Sequence, residues 1–263
     1  MGRGTSRLLA VGFVLMWALV AHPAAGQDPS NAELKRDIQA LGAAVSAVQK
    51  DLQDIKALLQ QRGAPQPAPQ NVVLDLASNP SKGDNTARLT LVEFTDYQCP
   101  FCSRHFRETY PQIQKDYDAT GKLRYVVLDL PLESIHKNAF KAAVVANCAG
   151  EQGKYWEMHD RLFSNQPSLD AWNAHAEAVG LDITRFEACL NGGKQDAEIR
   201  RDMAQAQIAG LTGTPGFLLA VAEPGPNKVK TLRTISGAQP YQAFKTQIDA
   251  LLAAQDAEGA KTR

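Results

Sequence analysis

The sequence predicts an α/β domain with a helical insertion, preceded by a coiled-coil helix. Three observations predict it. Apolar strand-like runs alternate with helical patterns in the order strand, helix, strand, helical block, strand, strand, helix. A long stretch at about residues 132–209 carries helical patterns and no strand signal. An unbroken seven-residue apolar repeat runs from Leu34 to Leu59.

In chain order, residues 1–26 carry Arg3 and Arg7, an apolar run from Leu8 to Ala21, and small residues ending at Gly26. This reads as a signal peptide cleaved near Gly26, which places the mature protein in the periplasm or outside the cell. The alternative is an uncleaved membrane anchor, but the run falls short of the roughly 20 residues that span a bilayer. The chain has 28 basic and 28 acidic side chains, and cleavage leaves 26 against 28. Such a near-neutral balance gives no argument for nucleic acid or an anionic membrane as partner.

Residues 27–61 are expected to form the coiled coil. Ile38, Val45, Leu52 and Leu59 occupy one core position, and Leu34, Leu41, Val48 and Ile55 the other. So narrow a seam calls for a partner helix and predicts a homo-oligomer through residues 31–61. A helix lying on its own domain normally has a wider apolar face. Dimer and trimer both remain open, because β-branched residues and Leu mix at both positions. Residues 62–71 follow as a Pro-rich, semi-rigid linker.

The globular domain is expected over residues 72–255. NVVLDL and RLTLVEF read as strands, and Phe106, Tyr110, Ile113 and Tyr117 mark a helix that Gly121 closes. LRYVVLDL reads as a buried strand. After the insertion, GFLLAV and KTLRTIS read as two strands around the turn EPGPN, and YQAFKTQIDALLAA as a closing helix. Residues 256–263 are expected to be a flexible tail.

The chemistry lies in TDYQCPFCSRHF. Cys99 and Cys102 stand three apart, at the junction between a strand and a helix that Pro100 is suited to begin. A thiol at a helix N-terminus faces unpaired N–H groups and the positive end of the dipole, which favour the thiolate. Cys99 is therefore the expected nucleophile, and Cys102, one turn on, the thiol that resolves a mixed disulfide. Zinc binding is the competing reading, yet the other two cysteines, Cys148 and Cys189, are isolated from each other. His105 reads as a solvated polar residue on the helix.

The segments VEFTDYQCPFC, DLPLESIHKNAFKAAVVANCAGEQGKYWEMHDRLF and TGTPGF together resemble the secreted DsbA-like thiol:disulfide oxidoreductases. The resemblance implies a thioredoxin-like fold with a helical insertion and a Cys-Pro-Phe-Cys redox centre that needs no metal or cofactor. It implies that Pro215 is a cis-proline facing that centre, and that the Thr214 backbone holds an extended client segment. Pro100 and Phe101 would then also meet the client. Glu93 matches an acid placed beneath the active site that could relay a proton for Cys102; otherwise it is an outward-facing strand residue. Cys148 and Cys189 match a structural disulfide within the insertion, the alternative being two free thiols. His136 and His159 fall in the insertion as packing or capping groups.

The partners implied are unfolded or misfolded secreted proteins as clients, and a redox protein that resets the centre. Phe101 departs from the oxidase pattern, which has His there and so a means of stabilising the thiolate. Thr214 and the N-terminal oligomerisation segment are also features of the isomerase branch. Oxidase and isomerase/reductase therefore both stand, and a soft-metal-binding or holdase protein is a rival from another class.

Overall fold

The computed structural model describes residues 31–61, 71–76, 79–225 and 227–261. The expected signal peptide and linker residues 62–70 lie outside them. The chain forms two units, Met1–Gln66 and Pro67–Arg263, divided within the Pro-rich stretch.

The first unit contains one helix, α1 (Asn31–Gln61). All seven described core positions of its repeat, from Leu34 to Ile55, are exposed, between 48% and 65%. An apolar stripe of this length lies open along the helix.

The second unit is built on a six-stranded sheet. Its strands are β1 (Val73–Asp75), β2 (Ser81–Gly83), β3 (Leu89–Thr95), β4 (Leu123–Asp129), β5 (Gly216–Ala222) and β6 (Lys228–Ser236). Their order across the sheet is β1-β6-β5-β3-β4-β2, with β3 and β4 parallel and every other pair antiparallel. Central β3 is buried at every position, which is why it reads as a near-continuous apolar run. Strand alternation sorts its side chains between two cores. Leu89 and Leu91 enter one with Tyr125, Val127, Phe217 and Leu219; Val92 and Phe94 enter the other with Val126, Leu128 and Leu218.

Between β3 and β4 the chain forms α2 (Pro100–Glu108) and α3 (Tyr110–Ile113), then a π-helical turn over Gln114–Asp118. The single helix expected there is broken at Thr109 (φ −108°, ψ −47°). Pro111 explains the break, since it lacks an N–H for the preceding turn and its ring crowds that turn's carbonyl. Gly121 ends the segment at φ 70°.

Strand β2, not foreseen, is a short polar edge strand paired with β4. Gly83 at its end has φ 82°, and a Cβ there would lie 2.3 Å from the Leu123 carbonyl oxygen.

The insertion comprises α4 (Ala139–Gly150), α5 (Tyr155–Ser164), α6 (Trp172–Ala178), α7 (Ile183–Gly192) and α8 (Lys194–Ile208). The last helix, α9 (Tyr241–Lys261), continues through residues 256–261, where a flexible tail was expected. Arg88 holds that extension through Asp256 at 2.6 Å. Residues 262 and 263 lie outside the described set.

Where β4 meets the insertion, two buried acids lie close together. The Asp129 backbone N–H donates to Asp202 Oδ2 at 3.1 Å, and Asn147 donates to Asp129 Oδ2 at 2.8 Å. Burial pushes the Asp129 carboxyl up to about 7 and that of Asp202 to about 6. Folded protein therefore holds protons that the unfolded chain releases near 3.8. Their contribution to stability is full below that value and is lost as pH rises through about 6 and about 7. Asp129→Asn, which removes the buried charge, is expected to raise stability at pH ~8 by on the order of 2 kcal/mol. Thermal denaturation at pH ~5 and ~8 checks this, the gain over wild type being largest at the higher pH.

Candidate active site

The end of β3 and the start of α2 position the two thiols. Cys99 is the N-cap of α2 (φ −70°, ψ 123°) and Pro100 its first residue, so the missing N–H falls where no helical partner exists. Both sulfurs are free thiols; Cys99 is 3% exposed and Cys102 fully buried.

Asp96 shapes the approach to them, a role the sequence reading missed. Its Oδ1 accepts from the backbone N–H groups of Gln98 at 2.7 Å and Cys99 at 3.2 Å. Its Oδ2 accepts from the Leu132 N–H at 2.9 Å and pairs with His136 Nδ1 at 2.7 Å. One buried carboxylate thus ties the redox loop to the first residues of the insertion. The available signal was the Asx-turn pattern, an Asp whose side chain accepts from the backbone two residues on. Gln166 adds a second tie, donating to the Tyr97 and Cys99 carbonyls at 2.8 and 3.1 Å.

Across from the thiols lies the loop before β5. The Thr214–Pro215 peptide bond is cis, and Cys99 Sγ is 3.5 Å from the Thr214 carbonyl oxygen. Phe101, on the first turn of α2, is 55% exposed, with the Arg104 guanidinium 5.3 Å from its ring centroid. Phe101, Arg104, His105, Thr214 and residues 237–240 are among those lining a groove of about 540 Å³.

The two thiols differ in acidity. Hydrogen bonding from Cys102, together with the Cys102 and Phe101 backbone N–H groups, brings Cys99 down to about 6 against the opposing effect of burial. Burial pushes Cys102 well up, and the neighbouring Cys99 and Glu93 charges add to it. Cys99 is therefore a thiolate at neutral pH while Cys102 keeps its proton.

Glu93, 3% exposed, does not face solvent. Alternation along β3 puts it on the side of Leu91, toward Cys102, and it accepts a hydrogen bond from the Tyr125 hydroxyl. His105, read from the sequence as solvated, is 1% exposed and bonded through Nε2 to that hydroxyl at 3.1 Å. The amphipathic turn of α2 that buries Cys102 also buries the residue three positions on.

Cys148 on α4 and Cys189 on α7 form a disulfide, with Cα atoms 5.7 Å apart. His136 caps through Asp96, and His159 packs among the rings of Tyr97, Phe106 and Phe163. Among the described residues no group of three or more His, Cys, Asp or Glu is arranged to hold a metal ion, and no helix is long and apolar enough to cross a membrane.

The thioredoxin family profile matches residues 76–250, from the end of β1 into α9. The chain belongs to the thioredoxin family. Alpha-DsbA1 of Wolbachia pipientis is similar in structure, with a TM-score of 0.62 at 24% identity over 70% of this chain and 96% of that one. A thioredoxin-like oxidoreductase from Silicibacter pomeroyi DSS-3 gives 0.54 at 26% identity, over 66% and 92%. This thioredoxin-family chain therefore has the DsbA-type architecture, with helices α4–α8 inserted between β4 and β5. Among curated relatives, the Na(+)/H(+) antiporter NhaA 3 of Salinispora tropica is 32% identical over 154 residues, 57% of this chain. The match spans only 23% of that antiporter's length.

Proposed function

We propose that this chain is an exported thiol:disulfide oxidoreductase that exchanges disulfides with protein clients through Cys99 and Cys102. The observation that carries the reading is the placement of Cys99 Sγ at the α2 N-terminus, 3.5 Å from the carbonyl before cis-Pro215. A thiolate there meets a client disulfide at the mouth of the groove, while an extended client segment pairs with the Thr214 backbone and packs on Phe101 and Pro100. Glu93 takes up the proton that Cys102 must lose. The Cys148–Cys189 bond braces the insertion, and a separate redox protein resets the centre.

Alkylation tests the nucleophile. The rate of iodoacetamide reaction at Cys99 is expected to fall as pH drops through about 6, with Cys102 unreactive in the folded protein. The same preparation should catalyse insulin reduction. A reaction midpoint near 9 in an inactive protein would defeat the reading.

A second reading, an oligomeric isomerase or reductase rather than a net oxidase, is favoured by the open apolar stripe of α1. Oligomerisation through that stripe places several redox centres around one client. Deleting residues 31–61 is expected to give a monomer by light scattering and to lower scrambled-RNase refolding more than insulin reduction. An unchanged mass would refute the coiled coil.

A further inference from the structure

We propose that Tyr125 and His105 extend the Glu93 site into a proton path linking Cys102 to the groove beside Phe101, with His105 as a positioning residue for mixed-disulfide resolution. The proposal rests on the exchange chemistry above and adds two residues to it.

Hydrogen bonds run unbroken from His105 through Tyr125 to Glu93, which lies on the side of β3 that faces the core holding Cys102. Glu93 Oε2 accepts from the Tyr125 hydroxyl, which leaves the tyrosine oxygen as an acceptor. The Nε2–H of His105 donates to it at 3.1 Å. That tautomer makes Nδ1 a bare acceptor, and Nδ1 is indeed buried without a hydrogen-bond partner. An orphaned polar atom in a core costs free energy, so one retained here calls for a role. The same imidazole lines the groove of about 540 Å³. It is thus the end of a buried polar chain that reaches the groove.

The surroundings hold the imidazole neutral. Phe217 of β5 and Phe244 of α9 pack on it at 4.4 and 5.4 Å between ring centroids. The titratable groups facing it are Glu93 on β3, Tyr125 on β4 and His159 on α5. Tyr110 packs behind Tyr125 at 4.9 Å between centroids, and Asp118 acts on both tyrosines. Burial pushes His105 down to about 4. A neutral imidazole of this tautomer passes a proton inward by taking one at Nδ1 and releasing the one on Nε2 to Tyr125; outward transfer uses the Nδ1–H tautomer, which takes a proton at Nε2 and releases one from Nδ1.

In the reducing direction, the Cys99 thiolate attacks a client disulfide. The Cys99–client S–S bond forms, the client's own bond breaks, and its second sulfur leaves as a thiolate. Cys102 then gives its proton to Glu93 and its sulfur attacks Cys99 Sγ. The Cys99–Cys102 bond forms, the Cys99–client bond breaks, and two electrons have passed from the pair to the client. The proton moves from Glu93 through Tyr125 to Nε2 of His105 in its Nδ1–H tautomer, and Nδ1 releases one to water in the groove. In the oxidising direction every step reverses, and the same path returns a proton to Cys102.

Release of glutathione from its mixed disulfide with Cys99 isolates the resolving step. Its rate is measured against pH in wild type, in Tyr125→Phe and in His105→Ala, with and without added imidazole. Both variants are expected to release glutathione on the order of tenfold more slowly, with the pH profile displaced upward and iodoacetamide reaction at Cys99 unchanged. Imidazole entering through the groove restores His105→Ala but not Tyr125→Phe. Wild-type rates and pH profile in Tyr125→Phe, which keeps the ring, overturn the proposal. Slow release in His105→Ala that imidazole does not restore assigns His105 to packing and overturns its part. A wild-type protein that forms no mixed disulfide at Cys99 defeats the exchange reading itself, a result distinct from a normal first step followed by an unaffected second.

Discussion

Cys99→Ala is expected to abolish insulin reduction and scrambled-RNase refolding, whereas Cys102→Ala is expected to accumulate mixed disulfides with clients. The two thiols lie one helical turn apart, yet their surroundings separate their roles. Cys99 caps α2, and hydrogen bonds from Cys102 and the backbone hold it near 6. It carries the thiolate that attacks, and without it no exchange begins. Cys102 is fully buried and its thiol is pushed well up, so it cannot substitute as the attacking group. Once Cys99 is bonded to a client its charge is gone, and with it one cause of the raised Cys102 pKa. Cys102 is then easier to deprotonate just when resolution needs it. Non-reducing electrophoresis of Cys102→Ala incubated with an unfolded disulfide-bonded substrate should reveal adducts that dithiothreitol removes. Equal turnover by Cys99→Ala and wild type would refute the mechanism.

The parts of this structure legible in the sequence are those set by short-range pattern. Strands β3, β4 and β5 are buried on both faces and so read as apolar runs. Pro100 and Gly121 mark the start of α2 and the end of the segment that follows it. Strand β2 escaped because Ser81, Lys82 and Gly83 carry no apolar alternation, and the edge exists only through pairing with β4. The expected continuous helix fails at Thr109 because apolar spacing carries no trace of Pro111, which breaks the turn before it.

The site divides in the same way. Cys99 and Cys102 are adjacent in sequence, and their chemistry follows from a strand-to-helix junction. Glu93, Tyr125 and His105 come from β3, β4 and α2, and they meet only because parallel pairing sets Leu91 beside Tyr125 and Glu93 beside Val127. No spacing along the chain announces that His105 has a partner 20 residues away. A polar residue three positions after Cys102 looks solvated until the sheet beneath the helix is known. Asp96 sits between these cases, because its contacts to residues 98 and 99 are local while those to Leu132 and His136 are not.

Replacing both Cys148 and Cys189 by alanine is expected to lower stability by about 4 kcal/mol in the chain-entropy model. The bond joins residues 41 apart in sequence, so cutting it frees a long loop in the unfolded chain. It also joins α4 to α7, two helices of the insertion that pack on the core containing Cys99 and Cys102. Cys148 is fully buried on α4, beside a run of buried alanines and valines, so the alanine variant loses the sulfur's packing as well as the link. For a domain of this size such a loss corresponds to a fall in melting temperature on the order of 10 °C. Thermal denaturation of the double variant measures it. Because Asp96 and Gln166 fasten the redox loop to the insertion, loosening the insertion should also broaden the pH profile of Cys99 alkylation. A variant that melts with wild type would show that the bond adds nothing to the stability of the fold.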